Sequence, residues 1–205
     1  MAAADPSADP NPSPLAKLLR RAFVWNYKRG GWGVETCGKL PKKFVLIAVP
    51  HTSNWDFPNV LGAFNMIGFT PRFIAKDTLF KWPMGDFMRG MGGVPVDRNA
   101  AAGLVEQMAA EFAAREEFVL TIAPEGTRGA VDKWKTGFYR IAMAARVPIG
   151  CGFMDYQRRL SGIGLLIEPT GDYDADMQPA YDFYRNIVPH NPAGFRLPDQ
   201  DDARP

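Results

Sequence analysis

The chain has 205 residues, 46% hydrophobic and 22% charged, with a net charge of +2. That suits one domain with a full core and gives no global electrostatic case for a nucleic-acid partner. Two cysteines, Cys37 and Cys151, stand far apart with neither metal-ligand nor redox spacing, which excludes a disulfide framework and makes a reducing, cytoplasmic compartment the expectation.

Residues 1–14 are rich in alanine, proline, serine and aspartate, carry no basic leader into an apolar run, and are expected to form a disordered tail. A helix is predicted over 15–29, closed by Gly30-Gly31. Leu15, Leu18, Leu19, Ala22 and Phe23 follow the i, i+3, i+4, i+7 pattern, and every ionised residue in it is basic. With Trp25 and Tyr27, this composition suits the surface of an anionic membrane. The same pattern describes a helix docked on the body with a solvated basic face. The longest uncharged run, 57–71, is shorter than the ~20 apolar residues that span a bilayer.

Val34-Glu35-Thr36-Cys37 reads as a strand and Phe44-Val45-Leu46-Ile47-Ala48-Val49 as a buried one. After it comes Pro50-His51-Thr52-Ser53-Asn54-Trp55-Asp56, then a short apolar helix to Gly68. An ideal helix turns about 100° per residue, so side chains five apart diverge by roughly 140°. His51 and Asp56 therefore meet only across a turn. A neutral imidazole takes a proton from a hydroxyl, and a carboxylate on its other nitrogen fixes the tautomer. Asp56 as a simple helix cap is the plainer alternative.

A strand at Arg72-Phe73-Ile74-Ala75 delivers Lys76, and a short methionine-rich helix follows over 83–91. A strand ending near Asp97-Arg98 leads to an alanine-rich helix over 101–116. Phe118-Val119-Leu120-Thr121-Ile122-Ala123 is a second buried strand, and it runs into Pro124-Glu125-Gly126-Thr127-Arg128. Amides in a tight glycine turn hold an anion, and a guanidinium recognises phosphate through paired hydrogen bonds. The plainer reading is a surface turn in which Glu125 pairs with Arg128. Lys76, Arg98 and Arg128, each at a strand end, would gather at one sheet edge as a phosphate site. Further on, a helix is expected over 138–145, a strand over 147–154 whose Pro148 favours a sheet edge or the strand start, a hairpin partner at 161–167, a helix over 180–187 and a solvated His190. Alternating strands and helices predict an α/β single domain, a mainly parallel sheet flanked by helices.

These motifs resemble those of the lysophosphatidate and glycerolipid acyltransferase family. His51 to Asp56 resembles its first block, Gly93-Val94-Pro95-Val96-Asp97-Arg98 its second, Pro124 to Arg128 its third and Val147-Pro148-Ile149 its fourth. Without a membrane-spanning segment, and with Trp134-Lys135-Thr136-Gly137 after the third block, the chain is similar to a compact bacterial branch.

The resemblance implies a His51 general base oriented by Asp56, acting on the hydroxyl of a lysophospholipid such as lysophosphatidic acid. That hydroxyl attacks the thioester of acyl-CoA or an acyl-carrier protein. Glu125, Gly126, Thr127 and Arg128 position the acceptor, while Arg128, Arg98 and Lys76 neutralise its phosphate. No metal or bound cofactor is implied. The expected location is cytoplasmic, peripheral on the inner face of the cell membrane through residues 15–29, with 31–190 as the catalytic domain and 191–205 as a flexible tail. Ala123 and Gly150-Cys151-Gly152 depart from the family pattern, which leaves substrate identity open. Ser53 lacks the glycines of a nucleophile elbow. Transfer to a different lipid or to another hydroxyl- or amino-bearing acceptor stays open, as does an inactive membrane-associated scaffold.

Overall fold

Lys43 to Ala48 form strand β2 because the segment is apolar on both faces, and it is hydrogen-bonded on both edges, by β5 and β6. The computed structural model describes residues 14–53, 55–96 and 103–198. Arg98, most of the N-terminal tail and residues 199–205 lie outside them. The strands are β1 (Gly33–Thr36), β2 (Lys43–Ala48), β3 (Arg72–Lys76), β4 (Gly93–Val96), β5 (Phe118–Ile122), β6 (Ile149–Asp155) and β7 (Leu160–Ile167). They make a single sheet in the order β1-β7-β6-β2-β5-β3-β4. All neighbours are parallel except the β6–β7 hairpin. The expected mainly parallel α/β domain is what the chain forms.

Helices cover both faces. On one, α4 (Leu104–Ala114), α5 (Gly137–Ala145) and α6 (Tyr173–Tyr184) bury Met108, Phe112, Phe138 and Tyr184 against Val45, Ile47 and Leu120. On the other, α2 (Asp56–Ile67) sets Phe64 against Phe44 and Leu46. There α1 (Pro14–Arg29) and α3 (Gly85–Gly90) join α2 and β3 through Phe23, Leu61, Phe73, Phe87 and Met91. Alternate residues of β2 thus feed opposite layers, as the two-residue strand period requires.

Several elements differ from the expectation. Helix α1 turns inward Phe23 and the fully buried Tyr27, whose hydroxyl donates to the Gly33 carbonyl at 2.6 Å, while Leu15, Leu18 and Trp25 stay exposed. The reason is Gly62 on α2: a Cβ there would lie 2.8 Å from that of Tyr27, so only glycine admits this approach. Helix α6 starts seven residues before the predicted 180, capped by Asp172, whose carboxylate accepts the Ala175 N–H. It carries Pro179 inside, because burial of Met177, Ala180 and Tyr184 outweighs the lost backbone hydrogen bond. Of the two positions that Pro148 favours, the strand start is the one observed: it lies just ahead of β6, which is no edge strand but runs between β7 and β2, buried along its whole length. Residues 191–198, read from sequence as tail, stay on the body: Asn191 N–H donates to Thr52 Oγ1 at 3.2 Å, Arg196 bonds Asp132, and Phe195 packs on the core.

Candidate active site

The carboxyl ends of β2, β3, β5 and β6 share one edge, and the chain leaves β2 there through Val49 and Pro50 to His51. Open α/β sheets place ligands at this edge, beside the central strands. Helix α2 begins at Asp56, so the turn between strand and helix folds its carboxylate back on the imidazole: His51 Nδ1 stands 3.3 Å from Asp56 Oδ2. That oxygen also accepts the N–H groups of Thr52 at 2.9 Å and Ser53 at 2.8 Å. The other, Oδ1, accepts the Tyr156 hydroxyl at 2.7 Å. Burial pushes the Asp56 carboxyl up, but His51, Tyr156 and the Ser53 N–H together outweigh it and hold the group below its ordinary value. Asp56 is thus a fixed anion, and the partly exposed His51 is held on its Nδ1 side with Nε2 left for other chemistry.

The second turn, after β5, meets the first. Glu125 is buried, and its Oε2 accepts the backbone N–H of His51 at 2.9 Å. Neither reading from sequence named this partner. Burial pushes the Glu125 carboxyl up to about 7, against the opposing pull of that N–H bond. The residue therefore ties the two turns together. Gly126 has φ 67°, a left-handed conformation that suits glycine, and Lys135 Nζ lies 2.7 Å from where a Cβ would stand. Gly126, Thr127 and Arg128 are exposed, and Thr127 Oγ1 accepts the Gly129 N–H at 3.4 Å. Lys76 is exposed at the end of β3. The structure thus joins His51, Asp56 and Glu125 by direct contacts and sets Lys76 and the Gly126–Arg128 turn on the same edge, while Arg98 lies outside the described residues.

Behind His51 and Asp56 a cavity of about 180 Å³ runs between α2 and the sheet. Its walls are almost wholly apolar, with Leu46, Val60, Phe64 and Phe73 among them. Ala123 and Gly152, two of the departures from the family pattern, also line it. Gly152 has no room for a side chain, since a Cβ would lie 2.9 Å from Leu46 Cδ1 and 3.0 Å from the Ile47 carbonyl oxygen. Small residues here keep the space open beside the imidazole.

Two residues of the site escaped the sequence reading. Tyr156 is 100 positions from Asp56, and only the pairing of β6 with β2 brings it near; Trp32 and the exposed His190 stand edge-on against its ring, each with centroids 4.9 Å away. Lys135 was visible as a neighbour of the third block, and its N–H donates to the Pro124 carbonyl at 2.9 Å, which returns the chain over Gly126. Among the described residues, no cluster of three or more His, Cys, Asp or Glu side chains is arranged to hold a metal ion, and no helix is long and apolar enough to cross a membrane.

Comparison with known proteins bears on this arrangement. Residues 33–151 match the model of the Acyltransferase family, a stretch that contains both turns, strands β1 to β5 and the start of β6. A probable 1-acyl-sn-glycerol-3-phosphate acyltransferase of Mycoplasma pneumoniae is 30% identical over 138 residues, covering 59% of this chain and 50% of that one. The protein of the same name in Mycoplasma genitalium is 26% identical over 176 residues, or 77% of this chain and 63% of its own. The chain thus spans about half to two thirds of the length of these relatives. In fold it is similar to the crystal structure of the 1-acyl-sn-glycerophosphate (LPA) acyltransferase PlsC from Thermotoga maritima, with a TM-score of 0.55 and 19% identity over 85% of this chain and 82% of that one. With more than half of its length matched by the family model, and that half carrying the site, this chain belongs to the Acyltransferase family.

Proposed function

We propose that the protein transfers a fatty acyl group from a thioester, acyl-CoA or acyl-carrier protein, to the hydroxyl of a lysophospholipid, with lysophosphatidic acid the first candidate. The observation that carries this reading is an imidazole held by a carboxylate at the mouth of an apolar cavity. His51 Nε2 takes the acceptor's hydroxyl proton as the oxygen attacks the thioester carbonyl. The tetrahedral centre collapses by breaking the carbon–sulfur bond, and the imidazolium returns the proton to the departing thiolate. Asp56 stabilises the imidazolium throughout.

The cavity suits an acyl chain, because apolar walls lose no hydrogen bonds to it. Arg128 and Lys76, exposed at the edge where β5 and β3 end, with Arg98 two residues beyond β4 in the chain, supply positive charge for the acceptor's phosphate. Gly126 and Thr127 shape that turn, and Glu125 acts through the backbone of His51. Helix α1 docks the protein peripherally on the membrane that holds the lipids: Leu15, Leu18 and Trp25 are exposed on a helix that has five cations and no acidic residue. The names carried by the Mycoplasma relatives support the choice of acceptor.

The test is thiol release from acyl-CoA with and without lysophosphatidic acid, and with acceptors that lack the phosphate. Release that needs acceptor and vanishes in His51→Ala is the expected result. Equal release without acceptor indicates a thioesterase, and indifference to the phosphate removes Arg98, Arg128 and Lys76 from acceptor binding. Vesicle binding without turnover on any lipid would favour the inactive scaffold.

A further inference from the structure

Among the described residues, the exposed large apolar side chains fall on one layer of the molecule, apart from Leu104 and Met143. That layer is α1, α2 and the segment from β3 to α3, fastened beneath its surface by Phe23, Leu61, Phe73 and Phe87. The segment between β3 and α3 concentrates the exposure. Leu79 is 49% exposed, Trp82 94% and Met84 48%; Lys76 before them and Lys81 among them are exposed cations, and Asp77 and Asp86 are the acidic residues of the segment. An indole this exposed contributes almost nothing to the core, and three such side chains within six residues form a patch of the kind that marks a contact surface.

We propose that Leu79, Trp82 and Met84 insert into the boundary between headgroups and acyl chains of an anionic bilayer, as a second anchor separate from α1. Tryptophan suits that boundary, where one side of the ring is apolar and the N–H is wet. The charges fit through α1, on the same layer, which exposes Lys17, Arg21, Lys28 and Arg29 and has no acidic residue, while Lys76 and Lys81 offset Asp77 and Asp86 within the patch segment. The segment starts where β3 ends, on the sheet edge that carries His51, and Trp55, 63% exposed, precedes Asp56. Two anchors fix an orientation that one helix alone leaves free to roll, and this pair turns the His51 edge toward the lipid surface. The role of that orientation rests on the acyl-transfer reading; the insertion itself does not.

The experiment uses the full chain and vesicles of phosphatidylglycerol or of phosphatidylcholine alone. A triple variant, Leu79→Ser with Trp82→Ser and Met84→Ser, is compared with Leu104→Ser plus Met143→Ser on the opposite layer. Co-sedimentation with phosphatidylglycerol vesicles is expected to weaken about tenfold or more in the triple variant and to stay unchanged in the control. Acyl transfer to a water-soluble short-chain acceptor stays at the wild-type rate in the triple variant. If no variant and no wild-type sample transfers acyl groups while the binding loss holds, the anchor stands and the catalytic reading falls. Unchanged vesicle binding in the triple variant overturns the anchor. So does a dimer on gel filtration that the triple variant converts to monomer without altered vesicle binding, which would assign the patch to a second copy of the chain.

Discussion

Replacing Glu125 by glutamine isolates what this buried carboxyl does. The amide oxygen still accepts the His51 N–H, so the tie between the two turns survives while the titration is removed. The carboxyl rises from an ordinary 4.5 to about 7 in the folded protein, chiefly through burial. At about 1.4 kcal/mol per pH unit that rise amounts to about 3 kcal/mol. The sign follows from which state binds the proton more tightly. Below the unfolded value both states are protonated and the folded protein bears no penalty. Above it the unfolded chain ionises first, so stability is lost progressively as pH rises through the folded value, and the loss then levels off. Urea unfolding of both proteins between about pH 5 and pH 8 measures it. The variant's advantage should grow across this window to about 3 kcal/mol, a shift of roughly 1–3 M in the urea midpoint. A gap that is constant with pH, or one that shrinks as pH rises, refutes the buried-carboxyl argument.

Asp56→Asn keeps the size of the side chain but leaves the imidazolium without its anion, and kcat should fall by about 10²–10⁴ with acceptor KM nearly unchanged. Steady-state kinetics at saturating donor checks it, and a change confined to KM contradicts the base-and-orienter assignment. Tyr156→Phe removes one hydrogen bond to that carboxylate, at 2.7 Å, and is expected to lower kcat about tenfold, since a bond to a charged group contributes about 1.5–3 kcal/mol. An unaltered kcat would make Tyr156 a packing residue only. Ala63→Leu extends a buried cavity-lining side chain into the space beneath α2. Competition among acyl donors of graded length should then favour shorter chains; an unchanged preference shows that the acyl group lies elsewhere.

Much of the frame was legible because it depends on local pattern. The apolar runs that became β2 and β5, and the period of Leu104, Met108 and Phe112 in α4, can be read within a few residues of themselves. The turn between His51 and Asp56 followed from the geometry of a helix that could not bring them together. What stayed hidden joined distant segments. The Glu125 carboxylate reaches His51 across 74 positions, and Tyr156 reaches Asp56 across 100. The motif around Glu125 marked it as a site residue but not as the partner of the His51 backbone, and nothing in the sequence near Tyr156 distinguishes it from an ordinary aromatic. Helix α1 shows the same division on a smaller scale: its apolar residues were plain, but their partition between core and exposed surface depended on a glycine of α2.

The sequence by itself determined the alternation of strands and helices, the turn that carries His51 and Asp56, and the glycine turn at Glu125 to Arg128, because each is set by backbone preference and hydrophobic period over a short span. Only the tertiary structure decided that β2 lies between β5 and β6, and with that which distant groups surround the imidazole. The physical reason is that strand order is chosen by the packing of whole layers. The buried anion, its tyrosine donor, the glutamate behind the histidine and the cavity beneath α2 all follow from that order.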